Sequence, residues 1–340
     1  MQLKGSWLNV NRKCNLRCGW CYSEGSKFMG HDMPLDLAVT LTKILKELGI
    51  KNIILIGGEP TLWKPLFQYN DFCKAEGLNS ILITNGLSLA SDRFFEQYKE
   101  HPCGSLGISM KGGTAEQYAR VAKLKNFSLI KKSFTRIAEN FNKFVNITFN
   151  SFYLEPASSL VDMAKFASDC GFAGMKFEFC TTTFVDGERV SKYMVHPHKT
   201  VVEIMKNLTE MRKHLKIIFE MNLPFCVWPR EFIEEFKGDG SLISACHVMR
   251  NEGVVFDTDG KTMICNTLFD YPTGKYGIDF TDSESYLKFR QSKQVASYYD
   301  QIISYPSYRC MDCSSHKECG GGCPLLWFIF KPDDIIKTSP

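Results

Sequence analysis

The chain has 340 residues, of which 44% are hydrophobic and 23% charged, the balance of a folded globular protein and not of a disordered one. That length suits one large domain with a smaller appendage. The net charge is +4 and the 41 basic residues are spread along the chain, which gives no footing for nucleic-acid binding. Residues 1–10 lack the charged start, apolar run and cleavage site of a signal peptide, and no stretch approaches the roughly 20 apolar residues of a membrane span. A reducing, anaerobic cytoplasm is the expected location, with neither membrane nor nucleic acid as partner.

In chain order, short apolar runs alternate with longer amphipathic ones from residue 6 to about 214, the pattern of repeated βα units on a parallel sheet. Six strands are expected, at 7–10, 52–56, 80–84, 106–110, 145–149 and 175–179. Crossover helices are expected at 35–48, 66–75, 92–99, 157–170 and 200–214, each long enough to span a parallel connection. The implied fold class is α/β, a partial (β/α)6 TIM-like barrel over 1–215 whose reactive mouth lies at the strand C-terminal ends. Residues 216–340 are turn-rich and cysteine-rich, which suggests a small iron–sulfur domain organised around metal more than around an apolar core.

The 14 cysteines argue for metal–sulfur chemistry, because disulfide frameworks belong to small secreted chains. Cys14, Cys18 and Cys21 directly follow the first expected strand. Three thiolates on one loop leave one iron of a 4Fe-4S cluster open, and an open iron can bind a cofactor and pass it an electron. A zinc loop would want a fourth protein ligand nearby, and none is evident. Gly57-Gly58-Glu59-Pro60 closes the second strand, where glycines admit close backbone approach and a carboxylate can pair with an ammonium group. Thr84-Asn85-Gly86 ends the third strand, Ser109-Met110-Lys111-Gly112 the fourth, and Asn150 the fifth; all fall at the same mouth.

The CxxxCxxC spacing after a first strand, with Trp20 before the third cysteine and the Gly57–Pro60 motif at the second strand end, resembles the radical S-adenosylmethionine superfamily. The resemblance implies that the open iron chelates the amino and carboxyl groups of S-adenosylmethionine. Trp20 would then lie beside the adenine, Gly57, Gly58, Glu59 and Pro60 at the cofactor amino group, and Asn85, Ser109, Lys111 and Asn150 at its ribose and carboxylate. In similar peptide-modifying enzymes the position of Lys111 is often acidic.

Near the end, Cys246 is followed by thirteen residues, Gly260, four residues and Cys265, and then by Cys310-x2-Cys313-x5-Cys319-x3-Cys323. This is similar to the SPASM auxiliary-cluster domain. The resemblance implies two further 4Fe-4S clusters, the nearer on Cys246, Cys265 and Cys323 and the outer on Cys310, Cys313 and Cys319. The family's seventh cysteine, downstream of Cys323, is absent here. The outer cluster would therefore use another ligand such as Asp333 or Asp334, keep an open iron, or be missing. Cys226 is close enough in sequence to serve the nearer cluster. Cys73, Cys103 and Cys170 read as buried small hydrophobes, and Cys180 as a strand-end residue able to face the cavity.

The activity implied is reductive cleavage of S-adenosylmethionine to a 5′-deoxyadenosyl radical, with hydrogen abstraction from a peptide or protein side chain, as in thioether or carbon–carbon crosslinking of a ribosomal peptide. The reducing electron would come from a low-potential donor such as flavodoxin or ferredoxin. With the first strand at about residue 7, no precursor-binding domain is expected ahead of it, so either a separate partner supplies one or the substrate differs. The alternatives are two-electron oxidation of a small metabolite or of one residue in a target protein, and an electron-transfer protein without chemistry of its own. The open iron and the Gly57–Pro60 motif disfavour the last of these.

Overall fold

The protein is described here from a computed structural model covering residues 3–22, 31–138, 141–155, 159–185, 187–244, 246–247, 251–302 and 306–336. The βα rhythm runs β1 (Gly5–Asn11), α1 (Leu35–Glu47), β2 (Asn52–Gly57), α2 (Leu66–Ala75), β3 (Asn79–Thr84), α3 (Asp92–Glu100), β4 (Ser105–Ser109), α4 (Ala115–Ala122), α5 (Phe127–Arg136), β5 (Lys143–Phe149), α6 (Ser159–Asp169) and β6 (Gly174–Phe179). All six expected strands are present with ends displaced by at most two residues. The expected helix at 157–170 begins in residues outside the described set and is seen as α6. Two helices, α4 and α5, fill the fourth crossover, where none was expected.

The rhythm continues beyond residue 179. A hairpin of β7 (Thr183–Val185) and β8 (Glu188–Val190) is followed by α7 (Pro197–Arg212), β9 (Lys216–Met221), α8 (Arg230–Gly238) and β10 (Leu242–Ser244). Strand β9 pairs in parallel with β6, so the sheet runs straight across residue 215, where the first domain was expected to end. The C-terminal region adds β11 (Gly253–Phe256), β12 (Lys261–Met263) and β13 (Gly274–Lys275). Strand β11 lies parallel to β1, with Trp7 opposite Val255. One open sheet results, in the order β10-β9-β6-β5-β4-β3-β2-β1-β11-β12-β13.

Period-two alternation divides the faces of the sheet. Leu8, Ile53, Leu55, Leu82, Leu106, Ile108, Val145, Ile147, Phe177 and Phe219 are buried and share one apolar core with the inner sides of the helices. The residues between them point the other way and are mostly half-buried: Ile54 and Ile56, Ile81 and Ile83, then Thr148, Lys176, Glu178 and Glu220. This second face is apolar along β2 and β3 and polar along β5, β6 and β9. Among the described residues, no helix is long and apolar enough to cross a membrane.

Candidate active site

Immediately after β1 the chain turns into the loop carrying Cys14, Cys18 and Cys21, all half-buried. The end of α4 holds this loop, because the Arg17 and Gly19 N–H groups donate to the Ala122 and Val121 carbonyls at 3.3 and 3.4 Å. Burial pushes the Cys14 thiol up to about 12; the Leu16 N–H draws it down, while the charges of Glu59, Cys21 and Cys18 add to the rise. The three thiols and Glu59 therefore sit within one another's field.

The two glycines before Glu59 serve the protein's own backbone first. The Gly58 N–H donates to the Asn11 carbonyl at 2.9 Å and the Glu59 N–H to the Lys13 carbonyl at 2.6 Å. A Cβ on Gly57 would stand 2.2 Å from the Asn11 oxygen, and one on Gly58 2.2 Å from the Lys13 oxygen. Only glycine lets the β2 turn lie against the segment that enters the cysteine loop. The Asn11 side chain adds a bond, its Nδ2 donating to the Glu59 carbonyl at 2.8 Å.

Glu59 is fully buried. Its Oε1 accepts from the Thr61 N–H (3.1 Å), the Thr61 hydroxyl (2.6 Å) and the Thr84 hydroxyl (2.5 Å), and its Oε2 from the Asn85 N–H (2.8 Å). The carboxylate thus caps the short turn Pro60–Leu62 and ties the end of β2 to the end of β3. Expected as a cofactor ligand alone, Glu59 is also the structural centre of the mouth, and only Oε2 keeps ample acceptor capacity. Asn85 continues the chain of contacts: its Nδ2 donates to Asn15 Oδ1 at 2.8 Å and, more weakly, to Cys14 Sγ at 3.9 Å.

Ser109, Lys111 and Trp20 lie together at the mouth. Lys111 Nζ donates to Ser109 Oγ at 2.5 Å and lies 5.3 Å from the Trp20 ring centroid. Tyr153 meets Trp20 edge-on with centroids 6.2 Å apart, and Phe152 lies at 6.0 Å. The Asn150 Nδ2 donates to the Thr148 carbonyl (2.8 Å) and its Oδ1 accepts from the Phe152 N–H (2.9 Å). Both ends of this carboxamide are engaged, so Asn150 caps the turn that sets Phe152 and Tyr153 against Trp20.

Three features had no local signal in the sequence. Arg12, one residue past β1, forms a buried ion pair with Asp257 at 2.7 Å in the turn after β11. The Tyr22 hydroxyl donates to Asn9 Oδ1 (3.3 Å) and lies in the field of both Cys21 and Cys265, between the first thiol loop and the C-terminal thiols. On the polar face, Glu178 Oε1 accepts from Asn146 Nδ2 (3.1 Å) and Thr148 Oγ1 (2.7 Å). Beside it Lys176 pairs with Glu220 at 2.5 Å. Burial lowers the Lys176 ammonium, but the charges of Glu220 and Glu178 outweigh it and the net shift is upward. Cys180 ends this wall, its thiol pushed up to about 12 by burial and then by Glu178.

The C-terminal cysteines separate into two groups. After burial, the charges acting most on Cys323 are those of Cys246 and Cys265. This group abuts the mouth, since Asn266, next to Cys265, accepts from Asn9 of β1 at 3.1 Å. Cys310, Cys313 and Cys319 form the second group. Cys226, expected beside the first group, lies by the second: after burial, its strongest neighbours are Cys319 and Cys310, and its thiol is pushed up to about 12. Among the described residues no three Cys, His, Asp or Glu side chains converge closely enough for a single metal ion. An iron–sulfur cluster takes its thiolates on separate irons.

Residues 8–167 match the Radical SAM superfamily. A probable GTP 3′,8-cyclase of Methanococcus maripaludis is 28% identical over 140 residues, 41% of this chain and 46% of that protein. The chain thus spans less than half the length of that curated relative. SuiB of Streptococcus suis bound to S-adenosylmethionine superposes with a TM-score of 0.73 at 14% identity, covering 99% of this chain and 77% of that one. SuiB bound to its precursor peptide SuiA gives 0.72 at 13% identity, covering 99% and 75%. Native anSMEcpe with bound AdoMet and a Cp18Cys peptide gives 0.66 at 18% identity, covering 95% and 89%. These likenesses establish a common fold over nearly the whole chain, and residues 8–167 are a domain of the radical SAM superfamily.

Proposed function

We propose that this chain is a radical S-adenosylmethionine enzyme with two auxiliary iron–sulfur clusters, and that it modifies a peptide or protein side chain. The residues fit these groups. Cys14, Cys18 and Cys21 share one field on a short loop, and a 4Fe-4S cluster held by three thiolates keeps one iron open. When bound, the cluster and S-adenosylmethionine supply an electron from a flavodoxin- or ferredoxin-like donor and a 5′-deoxyadenosyl radical that abstracts hydrogen from carbon. The chain itself orients the cofactor. Trp20 offers a ring to the adenine, Lys111 and Ser109 offer polar contacts to the carboxylate and ribose, and Glu59 Oε2 accepts from the ammonium.

The observation that favours a peptide is the polar wall of β5, β6 and β9. It carries Glu178 and Glu220, with Lys176 paired to Glu220 and Lys216 further along the same face of β9. Amide and hydroxyl groups of a peptide can use the donors and acceptors of this wall. The peptide-bound states of SuiB and anSMEcpe support the same reading, in which a thioether or carbon–carbon crosslink or a one-residue oxidation is the outcome.

Two measurements test it. Replacing Cys14, Cys18 and Cys21 together by alanine should abolish 5′-deoxyadenosine formation under dithionite, and continued cleavage would remove the cluster assignment. With the unaltered chain, 5′-deoxyadenosine release should be accelerated by cysteine-containing peptides and not by GTP. Acceleration by GTP alone would replace the peptide by a nucleotide.

A further inference from the structure

Cys226 lies in the short turn Phe225–Val227 that follows β9. The segment around it is laid directly on the last two cysteines. The Phe225 N–H donates to Cys319 Sγ at 3.2 Å, and the Cys323 N–H donates to the Asn222 carbonyl at 2.8 Å. Gly322, with φ +78°, has no room for a side chain, because a Cβ there would stand 2.8 Å from Pro224. Residues 222–226 and 319–323 are therefore in backbone contact. The thiols whose charges reach Cys226 are Cys319, Cys310 and Cys313, while Cys246 and Cys265 act on Cys323 instead.

We infer that Cys226 is the fourth thiolate of the outer cluster, joining Cys310, Cys313 and Cys319 from the upstream side. This rests on the auxiliary-cluster reading above. On loading, the Cys226 sulfur binds the iron that the other three leave uncovered and its proton passes to solvent, with no change of oxidation state. The rival ligand Asp333 already accepts from the Ser307 hydroxyl at 3.4 Å. The consequence is an inversion of roles. The outer cluster is closed by cysteine and suited to passing electrons, and the nearer set of Cys246, Cys265 and Cys323 is the one with an iron free of cysteine, beside the mouth.

The test is iron analysis with Mössbauer spectroscopy on the anaerobically reconstituted full chain. The unaltered protein should hold about twelve irons, as three 4Fe-4S clusters require. Cys226→Ala should lose about four of these, Cys226→Ser should retain them with an altered spectrum, and Asp333→Asn should change nothing. Far-UV circular dichroism of apo Cys226→Ala should match that of the unaltered apo chain, since the side chain is exposed. Unchanged iron and spectrum in Cys226→Ala, or loss in Asp333→Asn, would overturn the assignment of Cys226 alone. About four irons in the unaltered chain would overturn the auxiliary clusters themselves.

Discussion

Arg12 and Asp257, 245 positions apart, meet in a buried pair in which Asp257 Oδ1 accepts from both Nε (3.1 Å) and Nη2 (2.7 Å) of the guanidinium. The pair joins the entry to the cysteine loop to the turn after β11, so the C-terminal region is anchored on the mouth itself. The Arg12 side chain is 0% exposed and that of Asp257 5%, so solvent does little to screen either charge. Arg12 Nη1 has no hydrogen-bond partner among the described residues, which leaves Asp257 as its principal compensation. Asp257→Ala should cost about 3–5 kcal/mol in urea unfolding of the apo chain. The double variant Arg12→Met/Asp257→Leu should cost much less, because an apolar pair leaves no charge stranded. A cost below about 1 kcal/mol for the single variant would mark the pair as an ordinary surface one.

Gly58 makes a second prediction. Both its own turn and the Lys13 carbonyl are backbone, so neither can swing away from a Cβ placed 2.2 Å off. Gly58→Ala should cost at least about 1–3 kcal/mol in overpacking and displace the cysteine loop. Anaerobic reconstitution should then deliver about four fewer irons per chain. Full iron loading in this variant would show that the loop does not depend on the β2 turn.

Much of the sheet was legible because its parallel strands read as short apolar runs, as in Ile81-Leu82-Ile83, along which burial alternates. Strand β9 carries the same alternation, with Ile217, Phe219 and Met221 buried and Ile218 and Glu220 half-buried. The expected domain boundary at 215 excludes it from the six-strand pattern. Helices α4 and α5 also had readable starts: Thr114 accepts from the Gln117 N–H at 3.2 Å, and Asn126 from the Ser128 N–H at 3.2 Å. The contact of Arg12 with Asp257 had no such signal, since no periodicity spans 245 residues. The resemblance separated the two C-terminal thiol groups, but nearness in sequence misplaced Cys226. Twenty positions before Cys246 is near in sequence, yet the turn after β9 is folded onto Cys319.

Lys111 provides the third prediction. Its ammonium is held between Ser109 Oγ and the Trp20 ring and is buried. If it contacts the cofactor carboxylate, Lys111→Gln removes a charged hydrogen bond worth about 1.5–3 kcal/mol. S-adenosylmethionine binding by calorimetry should weaken roughly 10- to 150-fold with iron content unchanged. An unaltered dissociation constant would assign Lys111 to packing on Trp20.

Glu59 separates structural from cofactor roles most sharply, because its two oxygens are unequally loaded. Three donors converge on Oε1, and Oε2 takes only the Asn85 N–H. Glu59→Gln replaces one oxygen by an amide that can only donate. With the amide at Oε2, it faces the Asn85 N–H and cannot accept from a cofactor ammonium; with the amide at Oε1, it faces three donors. The first arrangement is the less costly. The apo chain should therefore lose about 1–3 kcal/mol, the penalty of leaving one buried donor unsatisfied, read as a lower urea midpoint. Binding of S-adenosylmethionine should weaken as well, measured on reconstituted protein with intact iron. Glu59→Asp keeps the charge but shortens the reach, so it should lower apo stability too while retaining more of the binding. Weaker binding in Glu59→Gln with unaltered apo stability would mean that the Thr61, Thr84 and Asn85 bonds do not hold the mouth together. Lower stability with unaltered binding would confine Glu59 to that structural task.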